Sequence, residues 1–67
     1  MNKHTITPEF LAREFDMLRE QMLDMKRACF DHYGQTSEGY KAHSICAAIE
    51  PMLAEASFLI GKVRAAQ

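Results

Sequence analysis

The sequence has no tryptophan, only two prolines and three glycines, and no low-complexity tract. Gly34, Gly39 and Gly61 are too dispersed to form a phosphate-cradling loop. Neither sign of charge prevails: eight Lys and Arg face nine Asp and Glu, for a net charge of −1. Arg13, Arg19, Lys26, Arg27, Lys41, Lys62 and Arg64 are spread along the chain, so no basic stripe forms. That argues against a nucleic-acid binder, which needs clustered cations to neutralise phosphates. No uninterrupted apolar run approaches the length that spans a bilayer, and no signal-length apolar stretch follows Met1-Asn2-Lys3-His4-Thr5. The expectation is a cytoplasmic protein without a membrane partner. In such a compartment, two cysteines are more often free thiols or metal ligands than a disulfide.

What the chain does have is hydrophobic residues, 48% of 67. That length makes one domain, 1–67, whose single core is marginal without a disulfide, a metal or a partner subunit.

The apolar residues repeat with a helical period. Thr7 fits an N-cap, Pro8 the first helical position, and Glu9 the positive end of the helix dipole. Ile6 and Leu11 have the spacing of a hydrophobic staple. Leu11, Phe15, Leu18, Met22, Met25, Cys29 and His32 then follow in alternating steps of four and three, a heptad seam. Gly34 can end this helix in the left-handed conformation. The pattern predicts a helix over about 8–33, a turn over 34–37 capped by Thr36 or Ser37, and a second helix over about 38–65. The second seam is Ala42, Ile45, Ile49, Met52, Ala56, Leu59 and Val63, flanked by Cys46, Leu53 and Ile60. Pro51 lies inside it and should kink or loosen the helix.

Folded back through the turn, the seams place Met25 opposite Ile49, Met22 opposite Met52 and Leu53, Leu18 opposite Ala56, Phe15 opposite Ile60, and Leu11 opposite Val63. The fold class expected is all-α, a two-helix antiparallel hairpin. Two helices cannot enclose a core. Phe10, Met17, Leu23, Phe30 and Phe58 lie off the seams. Pairing two hairpins into a four-helix bundle would bury much of this surface, so a homodimer is expected. The simpler alternative is a monomer with scattered exposed apolar residues.

One constellation suggests metal chemistry. Cys29 and His32 are three apart on the first helix, and His43 and Cys46 are three apart on the second. The seam register sets Cys29 against Cys46 and His32 against His43. Two thiolates and two imidazoles suit tetrahedral zinc, which would staple a small fold. Against this, His43 points away from its seam, and the spacing is not that of a common finger. The blander reading is two small core cysteines and two polar caps. The expectation is therefore no cofactor, with a zinc-stabilised adaptor as the alternative function and a Cys29–Cys46 disulfide less favoured still.

Catalysis is not expected. Asp16, Glu20 and Asp24 are spaced four apart, but acid–base work needs a desolvated cleft, and a solvated acidic stripe is the simpler account. Neither cysteine has a defined activating environment. A small RNA- or DNA-binding bundle dimer shares this architecture and stands as a second alternative, although it lacks the basic face.

Features near the turn point to a protein partner. Tyr33, Tyr40 and Lys41 lie beside Gly34 and Gly39, and tyrosines at a bundle end bury area while keeping a polar tip. Gly39 would let a partner approach closely, whereas Tyr40 could equally cover the open end of the core. Met17, with Arg19 and Arg27 nearby, adds a second candidate patch.

Thr7-Pro8-Glu9-Phe10-Leu11-Ala12-Arg13 leading into a long helix, and the turn from Gly34 to Tyr40, give the chain its other signal. In size and helical layout the whole chain resembles the small quorum-sensing anti-activators encoded by Pseudomonas phages. The resemblance implies a non-enzymatic hairpin dimer, made in the bacterial host cytoplasm. It implies binding to a LuxR-type transcriptional activator, blocking that activator's action on DNA, and inhibition of the type IV pilus assembly ATPase. On that reading Tyr40 is the first choice of binding anchor. The Cys/His group is not a feature of those proteins, so a bound metal would count against the resemblance.

Overall fold

The computed structural model describes residues 6–66, with side chains through 63. Two helices, α1 (Pro8–Tyr33) and α2 (Ser37–Ala66), pack against each other as an antiparallel hairpin. Its principal extents are 48 × 25 × 13 Å, two helices wide and one helix thick.

The α1 start follows the sequence. Thr7 is extended, and its hydroxyl accepts the backbone N–H of Phe10 at 3.0 Å while Pro8 occupies the first turn. Its end differs from expectation. Gly34 is right-handed, with φ −62° and ψ −17°, and its N–H donates to Phe30 O. The chain needs no left-handed residue because Thr36 takes over. The Thr36 hydroxyl donates to Tyr33 O at 2.8 Å and accepts Gly39 N–H at 2.9 Å, ending one helix and capping the next. The turn is therefore 34–36, one residue shorter than predicted. Gly39 serves this turn: a Cβ there would run into the Tyr33 carbonyl and come within 2.6 Å of its Cβ. Helix α2 continues through Pro51 without a break.

The register departs from the seam pairing. Ser57 Oγ donates to Ala12 O at 3.3 Å, Arg19 pairs with Glu50 at 2.9 Å, and His43 Nδ1 lies 3.3 Å from Lys26 O. These contacts recur every seven residues on each helix, and each pair is equidistant from the turn centre between Gly34 and Gln35. A tight turn and an equal rise per residue dictate this symmetry. Met25 is thus level with Ser44 rather than Ile49, and Leu18 with Pro51 rather than Ala56.

The seams are also rotated. The half-buried residues of α1 include Leu11, Ala12, Phe15, Arg19, Met22, Leu23, Lys26 and Cys29; those of α2 include His43, Cys46, Ile49, Glu50, Leu53, Ser57 and Ile60. Leu18, Met25, Ile45, Met52, Leu59 and Val63, expected in the core, are exposed, Met52 to 66% and Ile45 to 60%. Among the described residues none is fully buried. The predicted flanking row Cys46, Leu53 and Ile60 is the true inner row of α2. Alternating threes and fours select an apolar stripe but not what it faces. Here the inner line mixes apolar side chains with the polar contacts of Arg19, Glu50, His43 and Ser57, and the exposed stripe lies beside it.

Candidate protein-binding surfaces

The two displaced stripes share one face. Counting around α1 from the Arg19 contact line, the aliphatic residues Met22, Leu18 and Met25 lie to one side, and Asp16, Arg13 and Glu20 to the other. Around α2 from the Leu53 line, Ile49, Ile45, Met52 and Leu59 lie to one side, and Ala54, Phe58 and Tyr40 to the other. A groove of about 600 Å³ identifies which sides go together: it is lined by Glu9, Arg13 and Asp16 from α1 and by Phe58, Gly61 and Lys62 from α2. The charged flank of α1 and the Phe58 flank of α2 are therefore one face, and the opposite face carries both aliphatic stripes. Leu11, Leu18 and Met25 on α1 stand within one residue of level with Leu59, Met52 and Ile45 on α2, giving three apolar rungs seven residues apart.

The turn end forms a second surface. Tyr33 and Tyr40 are largely exposed. The His43 ring lies between Phe30, with centroids 5.1 Å apart, and Tyr40, at 5.7 Å, so Tyr40 is both supported and accessible. His32 lies 6.2 Å from Tyr33, centroid to centroid. A cleft of about 590 Å³ runs beside this end, lined by Phe30, Asp31, His32, Tyr33, Gly34, Gln35 and Thr36. Lys41 is exposed on the outer edge of α2. Arg27 is exposed, 3.7 Å from Asp24.

Other predicted site residues fall elsewhere. Arg19 is engaged within the hairpin, and its bond to Glu50 holds the guanidinium pKa above its ordinary value against the opposing effect of burial. Met17 is exposed on α1, remote from the turn. The register leaves Cys29 level with Tyr40 and Cys46 level with Leu23, so the expected Cys29–Cys46 and His32–His43 facings do not occur. Both cysteines are free thiols, and among the described residues no group of three or more His, Cys, Asp or Glu side chains is placed to hold a metal ion. His43 is instead engaged with Lys26 O and two aromatic rings.

No family model matches this chain, and neither a curated protein nor a solved structure does. By length and composition alone, Ser37–Val63 of α2 is apolar enough to cross a membrane, a test that a packed helix of a soluble protein also passes. Glu50 and Glu55 interrupt the apolar residues, and Glu50 is bound to Arg19 of α1. The apolar residues of α2 lie on several sides: the stripe Ile45, Ile49, Met52 and Leu59 on one side of the line facing α1, Cys46, Leu53 and Ile60 on the line itself, and Phe58 on the other side.

Proposed function

We propose that this hairpin is a non-enzymatic protein-binding inhibitor that pairs with a second copy and blocks a bacterial regulatory protein. The observation that carries the reading is the three-rung apolar face of Leu11, Leu18, Met25, Ile45, Met52 and Leu59. A slab one helix thick cannot cover that face from within, and leaving it in water costs about 25 cal/mol per Å² of apolar area. A second hairpin laid on it completes a four-helix bundle, with the polar Arg19–Glu50 line inside each subunit.

The partner site is the turn end. Tyr40 and Tyr33, with Arg27 nearby, offer supported aromatic anchors beside a cleft, the kind of group that dominates binding energy at interfaces. The partner's identity rests on the resemblance to phage anti-activators: a LuxR-type activator first, and the type IV pilus assembly ATPase second. Native mass spectrometry on untagged protein should show a metal-free dimer, and the purified activator should be retained on the immobilised hairpin. A monomer at micromolar concentration, or one zinc per chain, would replace this reading with the monomeric or zinc-adaptor alternative. Steeply salt-dependent binding to RNA or DNA would favour the nucleic-acid bundle.

A further inference from the structure

The apolar face admits two twofold arrangements of a second copy, and the charges along its edges select one. We propose that the copies dock with their turns at opposite ends, α1 on the partner's α1 and α2 on the partner's α2. The twofold axis passes beside Gln21 and Ala48. This inference rests on the dimer reading above and specifies its geometry.

The outer edges of the face carry the charges that separate the two arrangements. On α1 one heptad row along that edge holds Glu14, Gln21 and Ala28. On α2 the corresponding row holds Lys41, Ala48 and Glu55. The register seen in the Arg19–Glu50 and Lys26–His43 contacts makes Glu14 level with Glu55, Gln21 with Ala48, and Ala28 with Lys41. If the turns lay at the same end, α1 would stack on the partner's α2 at unchanged level. Glu14 would then meet Glu55 of the partner subunit, a like-charge contact made twice by the symmetry.

With the turns at opposite ends, each row meets itself in reverse. Lys41 then meets Glu55 of the partner subunit, twice, and Glu14 meets the uncharged Ala28 of the partner subunit. Gln21 and Ala48 fall on the axis, and one axis serves both helices because these two residues are level within the hairpin. The same axis sets Leu18 within one residue of level with the partner's Met25, and Ile45 within one residue of level with the partner's Met52, so the apolar rungs meet one another. Lys41 thereby belongs to the dimer edge rather than to the turn-end partner site.

The test uses the full chain with Cys29→Ser and Cys46→Ser, first checked to be a dimer by sedimentation. Ala48→Cys in that background should be cross-linked between subunits by a short bismaleimide, because the two copies of position 48 lie at the same level on one edge of the dimer. Lys41→Glu should weaken dimerisation about tenfold, two exposed ion pairs becoming two repulsions, and Lys41→Glu with Glu55→Lys should restore it to within about twofold. A dimer that does not cross-link at position 48, and that Glu14→Lys strengthens, has its turns at the same end and overturns the inference while leaving the dimer intact. A wild-type chain that sediments as a monomer overturns the dimer reading itself.

Discussion

Midway along the hairpin, the Arg19 guanidinium donates to the Glu50 carboxylate at 2.9 Å, the one ion pair between the helices among the described side chains. One heptad to either side, the Ala12–Ser57 and Lys26–His43 contacts continue the line. Polar groups at these inner positions penalise any slide of one helix along the other, since a slide would strand partly desolvated charge. Glu50→Ala should lower the urea midpoint, because it leaves the Arg19 guanidinium without its partner. Arg19→Met combined with Glu50→Leu should cost less than Glu50→Ala alone, since neither charge is then left without its partner. Simple additivity of the two single replacements would mean that the residues are not coupled.

The two glycines of α2 should respond with opposite sign. Gly39→Ala drives a methyl group into the Tyr33 backbone and should destabilise the hairpin by about 1–3 kcal/mol. A methyl group at Gly61 would meet nothing within 4 Å, and the position lies inside a helix, so Gly61→Ala should stabilise by about 0.5–1 kcal/mol. Thermal melts of the two variants, followed by circular dichroism, test both the turn geometry and the open groove.

Replacing Leu18 by Asp separates a core residue from an interface residue. Seam logic would have it unfold the chain by burying a charge. Its exposure in the hairpin instead leads to a loss of self-association, by about a hundredfold or more in dissociation constant, with helicity retained at high concentration. Phe58→Asp, on the opposite face beside Lys62, should leave the dimer unchanged. Equal effects of the two substitutions in sedimentation would remove the apolar face from the interface.

Tyr40→Ala should leave the dimer and its helicity intact and weaken capture of the regulatory partner by at least about tenfold. The comparison is made by titrating the immobilised activator with both proteins. Undiminished capture would exclude the turn end as the partner site.

The heptad spacing, Thr7-Pro8-Glu9 and the break at Gly34 were enough to read two helices, their lengths and the antiparallel return, because local caps and periodicity act within a few residues. The stripe of Leu18, Met25, Ile45, Met52 and Leu59 was legible as well, but not what it faces. Two helices of this kind have both an inner line and a free face to fill, and spacing alone cannot assign a stripe to either. Tertiary packing decided that, through the symmetric turn closed by Thr36 and Gly39 and through the Arg19–Glu50 pair. It also separated Cys29 from Cys46 and His32 from His43, because a register set by the turn centre leaves residues at unequal distances from it unable to meet.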